Sequence, residues 1–251
     1  MSFYQPENLP KIMIAPNGAR PKKKDHIEVP VTIDEVVETA KLCFDEGAEG
    51  IHFHLRDEKG DHILSSEMCL KALNDLQLSV PNMHLQVTTE AVGRYSPIEM
   101  RNLAYEVAPP GISIGIREMI PSRSPTEEDI KLYQSITENG TKNKHICYEP
   151  EDLDLLSYLL NKGKISKDGT WCLFVIGHYS GKISDPNKIP LFLDKLSNNN
   201  LNADWAVCAF GKEEIDCLKK AISLDGKIRI CLLYTSPSPR DEKVSRMPSS
   251  A

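Results

Sequence analysis

Apolar residues along this chain fall into two alternating patterns. Short apolar runs read as strands, and longer stretches with apolar positions three and four residues apart read as helices. Lys11–Pro16 (KIMIAP) predicts a strand ending in the loop-forming Pro16-Asn17-Gly18. A helix opens at Thr32, where Glu35 completes a capping box. Ile33, Val36, Val37, Ala40 and Phe44 share its buried face, and Gly47 ends it. Ile51–Leu55 (IHFHL) alternates as a strand, and Met68, Leu70, Leu73 and Leu76 mark the helix after it. Strand His84–Thr89 precedes a second capping box, Ser96-Pro97-Ile98-Glu99, with proline at the first helical position. Strand Ile112–Ile116 leads to a similar start at Ser124-Pro125-Thr126-Glu127, whose helix ends near Asn139-Gly140. Strand His145–Glu149, helix Pro150–Lys162, strand Thr170–Gly177, a helix over Asp185–Leu196, strand Asp204–Phe210, helix Glu213–Ile222 and a strand from Lys227 complete the series.

Eight strands with helices between them imply right-handed βαβ units on a parallel sheet. The length of 251 residues suits one α/β domain, a (β/α)8 TIM barrel, which commonly needs about 250. An open doubly wound sheet competes, but no Gly-x-Gly-x-x-Gly follows the first strand. The pattern stops abruptly after Ile230. Residues 231–251 lack helical period and are rich in proline and serine. Cys231–Asp241 (CLLYTSPSPRD) resembles the translation of a transposase-type sequencing adapter, and Ser245–Ala251 resembles the flow-cell primer end. The expectation is a single incomplete barrel domain over residues 1–230, its eighth strand cut short and its last helix missing, with a non-native, disordered tail over 231–251.

In a barrel of this kind chemistry gathers at the C-terminal ends of the strands. His52-Phe53-His54 stands at such an end. A period of two sends both imidazoles to one face, where each can offer a nitrogen to a metal. Alone, His-x-His is a weak signal, since paired strand histidines also bond one another. Followed by Arg56-Asp57 it becomes more specific.

Several motifs in matching order resemble the β-keto acid cleavage enzymes. They are APNGAR at 15–20, IHFHLRD at 51–57, LQVTTEA at 85–91, SIGIRE at 113–118, YE at 148–149, WAVCAFG at 205–211 and DGKIRI at 225–230. The resemblance implies a zinc-bearing barrel that converts a β-keto acid and acetyl-CoA into acetoacetate and a new acyl-CoA. It implies His52 and His54 as zinc ligands and Arg229 as the catalytic arginine that meets the substrate carboxylate. Thr88 and Ser113 fall where the family has hydroxyls near substrate, and Glu149 is expected to line the pocket. A homo-oligomer is also implied. The family carries its third zinc ligand, a glutamate, four residues after this arginine, and then an aspartate tied to proton transfer. Leu233 and Tyr234 stand at those positions, so the chain is expected to bind metal weakly and to be impaired.

A metal-dependent amidohydrolase is the alternative, with His145 and His178 as further ligands; an inert barrel fragment is another. Arg117 and Glu118 are expected to form an ion pair at the rim. A net charge of −6 argues against nucleic acid and anionic membranes as partners. The run Lys22-Lys23-Lys24 fits a solvated loop better than a phosphate contact. No stretch approaches the roughly 18 apolar residues of a membrane span, and the N-terminus lacks the features of a signal peptide. Seven cysteines without Cys-x-x-Cys suit buried thiols in a reducing cytoplasm, with Cys43, Cys147, Cys172 and Cys208 in the core.

Overall fold

A computed structural model describes residues 3–177 and 183–231. In chain order, β1 (Ile12–Ala15), α1 (Ile33–Asp45) and β2 (Gly50–Phe53) lead to a hairpin of β3 (Leu55–Arg56) and β4 (His62–Ile63). Then come α2 (Ser66–Ser79), β5 (His84–Thr88), α3 (Pro97–Val107), β6 (Gly111–Gly115), α4 (Ile116–Met119) and α5 (Glu127–Glu138). β7 (Lys142–Cys147), α6 (Asp152–Gly163), β8 (Thr170–Ile176), α7 (Ile189–Asn198), β9 (Ala203–Ala209), α8 (Glu214–Ser223) and β10 (Lys227–Cys231) complete the chain. Eight of these strands, β1-β2-β5-β6-β7-β8-β9-β10, pair in parallel around a closed barrel. This is the (β/α)8 architecture that the alternation predicts.

β10 closes on β1, with Ile12 beside Ile228 and Ala15 beside Cys231. It carries five residues, as many as β5 and β6, and reaches one residue past the expected domain limit at 230. Among the described residues no helix follows it. Leu233, Tyr234 and the remaining tail positions lie outside the described residues, as does His178. No helix of the described residues is long and apolar enough to cross a membrane.

Strand period two builds two concentric cores. Ile51, Phe53, Leu85 and Val87 point outward against α1, α2 and α3 in one buried cluster. Ile112, Ile114, Cys172, Phe174 and Val207 point outward against the later helices in another. Inside the barrel, Met13, Ile146, Trp171, Leu173, Val175, Ala206 and Cys208 fill the space. Cys147, Cys172 and Cys208 are buried as expected, whereas Cys43 is only half-buried.

Two of the expected capping boxes form as read, at Thr32 with Glu35 and at Ser96 with Glu99. The third is displaced: α5 is capped by Thr126 with Asp129, not by Ser124, because the short helix α4 and a turn occupy the chain before it. Gly226 precedes the last strand where a Cβ would meet the Trp205 ring at 2.2 Å, so the glycine of the DGKIRI motif lets β10 lie against that indole. Lys22 and Lys23 pair with Asp61 and Glu35 at 2.6 and 2.7 Å, as suits a surface loop.

Candidate active site

The C-terminal ends of the strands open into a cavity of about 780 Å³ including its mouth. His52 (β2) with His54 just past it, Thr88 (β5), Ser113 and Gly115 (β6), Tyr148 just past β7, and Arg229 (β10) line it, together with Glu118 of α4 and Arg20 and Glu90 from the loops. Five of the residues expected at the site are therefore brought together. Glu149, the sixth, is not among the lining residues. It stands two residues beyond the end of β7 at Cys147. Its backbone N–H donates to Asp152 at 3.1 Å.

The two histidines converge. Their Nε2 atoms stand 3.2 Å apart, with the rings at 82°. Two nitrogens each 2.0–2.1 Å from one tetrahedral ion would be separated by about 3.3 Å, so the pair already has the spacing of two ligands. Both imidazoles are held well below their usual range. Burial is the main cause for each, followed for His52 by the charges of Arg229 and Lys144, and for His54 by its neighbours His52 and His62. Neutral imidazole is the ligating form. His52 Nδ1 lies 3.2 Å from Gln86 Oε1. That carbonyl can only accept, so Nδ1 carries the proton and Nε2 presents a lone pair to the cavity, the arrangement that orients a metal-binding histidine. The residues thus fit a zinc ion in two of its ligands. Among the described residues no group of three His, Cys, Asp or Glu side chains could hold a metal ion.

His54 owes its place to the loop after β1. Asn17, fully buried, donates to the His54 carbonyl at 2.8 Å and accepts from its N–H at 3.1 Å. This side chain replaces a strand partner where β2 ends. Arg56 in turn donates to the carbonyls of Asn17, Gly18 and Ala19, holding the loop down. The APNGAR and HLRD motifs are therefore two halves of one clamp.

Arg229 is buried at the cavity floor. Its Nη2 donates to Cys208 Sγ at 3.2 Å, while Nε and Nη1 find no partner among the described residues. The Cys208 thiol is lowered to about 6, first by its hydrogen bond with Cys231, with Arg229 contributing further. Lys144 lies deeper, its Nζ 3.1 Å from the Met13 sulfur. Burial above all, with the charge of Arg229 added, pushes this amine well below its ordinary value.

Two carboxylates face the same space. Glu118 accepts from the Tyr148 hydroxyl at 3.0 Å and from the Ala91 N–H at 2.9 Å. Its pKa is raised, chiefly by burial, with the Glu90 charge adding to it. Gly115 makes room for it, since a Cβ there would lie 3.2 Å from the Glu118 carboxyl carbon. The expected Arg117–Glu118 pair does not form: Arg117 instead grips Asp152 through two bonds of 2.9 Å. Glu90 pairs with Arg20 at 2.8 Å. His145, a ligand in the amidohydrolase alternative, lies outside this cavity, stacked on Tyr133 with Nδ1 on the Trp171 carbonyl at 2.9 Å. Gln86, Glu118, Tyr148 and the Asn17 clamp were assigned no role at the site from the sequence, although all four residues fall within the motifs that carry the family resemblance.

A family model described as beta-keto acid cleavage enzyme matches residues 11–233, nearly all of the described chain, and places this protein in that family. The chain is 26% identical over 229 residues to the 3-keto-5-aminohexanoate cleavage enzyme of Acetoanaerobium sticklandii, covering 85% of this chain and 78% of that protein. A 3-oxoadipate:acetyl-CoA acetyltransferase of Cupriavidus necator is 22% identical over 246 residues, covering 96% of this chain and 84% of its own length. Among solved structures, a binary complex of ObcA with oxaloacetate matches with a TM-score of 0.65 at 11% identity, over 83% of this chain and 57% of that chain. A type I 3-dehydroquinate dehydratase from Clostridium difficile matches at 0.58 and 9% identity, over 88% and 83%. These two likenesses concern the barrel alone, and this chain spans little more than half the length of ObcA.

Proposed function

We propose that this chain, which belongs to the β-keto acid cleavage enzyme family, is a zinc-dependent acyltransferase. It would exchange acyl groups between a β-keto acid and acetyl-CoA, yielding acetoacetate and a new acyl-CoA. The observation that carries this reading is Arg229, a buried guanidinium with two nitrogens unpartnered among the described residues, beside two convergent neutral imidazoles. Such a site attracts a carboxylate and a chelating oxygen together.

His52 and His54 would hold the zinc, which when bound supplies Lewis-acid polarisation of the keto and carboxylate oxygens. Arg229 binds the β-keto carboxylate through its free nitrogens, and the Thr88 and Ser113 hydroxyls line the path of the substrate. Glu118 takes the α-proton on Oε1, the oxygen held by Tyr148; its raised pKa makes it a stronger base than an exposed carboxylate. The substrate C2 then bonds to the acetyl carbonyl carbon, and the thioester C–S bond breaks. The released CoA thiolate attacks the original keto carbon, the C2–C3 bond breaks, and the departing acetoacetate carbanion recovers the proton from Glu118. One proton is borrowed and returned, so no redox cofactor is required.

The test is isotopic. Given a panel of β-keto acids labelled with carbon-13 at C2 and unlabelled acetyl-CoA, the full chain should release acetoacetate labelled at C2 only. Turnover of amides or lactams without CoA would instead favour the hydrolase. A homo-oligomer belongs to the same reading. It is supported by the exposed Leu42, Leu70, Leu78, Ile98 and Tyr105 on the neighbouring helices α1, α2 and α3, and light scattering at the mass of a monomer would remove it.

A further inference from the structure

The β9–β10 register sets Lys227 beside Ala206 and Ile228 beside Val207, and the next step brings Arg229 beside Cys208. Cys208 is fully buried in the inner core of the barrel, with Leu173, Val175 and Ala206. Arg229 lines the cavity and Cys208 does not. The Cys208 Sγ accepts from Arg229 Nη2 at 3.2 Å and is the one acceptor Arg229 has among the described residues. We infer that Cys208 is the positioning residue of Arg229, anchoring one edge of the guanidinium so that one complete two-bond face stays open for the substrate carboxylate. The inference rests on the carboxylate-binding role proposed for Arg229 above.

A guanidinium offers its five N–H bonds in one plane. They form two faces that can meet a carboxylate with parallel bonds, one through Nε and Nη2, the other through Nη1 and Nη2. Nη2 belongs to both faces and carries two hydrogens. The bond to Cys208 uses one of them, which closes one face and leaves the other whole, since Nε and Nη1 have no partner among the described residues. Sulfur suits this purpose. It takes a single N–H as a weak acceptor, whereas a carboxylate at position 208 would occupy a full two-bond face and neutralise the cation. Held low by its bond with Cys231 and then by Arg229, the Cys208 thiol is also a stronger acceptor than an ordinary cysteine. Without this anchor the fork swings about its side-chain torsions, and substrate binding has to fix it.

Calorimetric titration of acetoacetate into the full chain, without acetyl-CoA, tests the assignment. Cys208→Ala removes the acceptor and should weaken binding roughly two- to tenfold, the range set by freeing one long side chain. Cys208→Ser restores an acceptor and should recover most of the wild-type affinity. In steady state the alanine variant should raise KM with kcat nearly kept, as loss of an interaction common to ground and transition states does. A packing role alone gives the opposite order, because a buried hydroxyl in this apolar core costs more than a methyl group. Alanine binding as tightly as the wild type, or more tightly than serine, therefore overturns the inference. Arg229→Lys separates the two levels of the argument. If it weakens binding and Cys208→Ala does not, Cys208 alone is refuted. If Arg229→Lys binds like the wild type, or the wild type binds no acetoacetate, the carboxylate role of Arg229 falls and Cys208 with it. Should the alanine variant fail to fold, Cys208→Val fills the space without an acceptor and is read against serine in the same way.

Discussion

His52→Ala and His54→Ala are each expected to strip zinc from the chain and to reduce acetoacetate formation to background. The effect should be large because each histidine supplies a lone pair that nothing nearby can replace. Loss of a partner outside the ligand shell typically lowers metal affinity about 10- to 100-fold, so loss of a ligand should lower it by at least roughly that upper figure. The His52 imidazole is aimed by Gln86 at 3.2 Å, and His54 by the Asn17 clamp on its backbone. Neither arrangement is needed to fill space alone. His145→Ala separates the effects of burial and ligation. It removes another buried imidazole, but one stacked on Tyr133 between β7 and α5. That variant should lose stability and keep its zinc. Elemental analysis of the purified variants, read beside their thermal unfolding, decides the matter. Unchanged zinc in both cavity variants would return the two histidines to a packing role.

The parts of this site visible in the sequence are those set by strand parity. In IHFHL the alternation alone sends His52 and His54 inward and Ile51 and Phe53 outward, and the structure has that division. Thr88, Ser113 and Arg229 were expected from the family resemblance alone, and all three line the cavity. β7 was read without its polar start. Lys142, Asn143 and Lys144 belong to the strand. Lysine in a strand ordinarily points to water, yet Lys144 is fully buried inside the barrel. β7 ends at Cys147, so Tyr148 and Glu149 lie in the segment beyond it, where strand parity no longer decides which side chain enters the cavity.

Loops were less readable for a different reason. Their side chains answer to partners far away in the chain. Asn17 holds a residue 37 positions on, and Ala91 holds Glu118 from 27 positions away. The hairpin β3–β4 brings His62 back over Glu90, a 28-residue separation with no local signature. Strong local signals survived where the partner was near: Thr32 with Glu35 and Ser96 with Glu99 are capping boxes in both sequence and structure. Thr126 took the place expected for Ser124, and no periodic pattern announced the short helix α4 before it.

Arg229→Lys keeps a formal cation at the cavity floor and is nevertheless expected to lower kcat/KM about 10- to 150-fold. Charge-assisted hydrogen bonds are worth roughly 1.5–3 kcal/mol, and a single ammonium cannot reproduce the planar fork that meets a carboxylate with two parallel bonds. The environment adds a second penalty. Lys144, in the same barrel interior, has its amine pushed well below the ordinary range by burial and by Arg229. A lysine at position 229 would meet the same burial and tend to lose its proton, whereas a guanidinium remains charged. The loss should therefore fall at the upper end of that range and ease as the pH is lowered. Zinc content should be unchanged, because a guanidinium has no lone pair to offer a metal. Steady-state rates with several β-keto acids, alongside zinc content, test this directly. A variant as active as the wild type would remove Arg229 from carboxylate recognition. Loss of zinc together with activity would make it a structural support of the metal site.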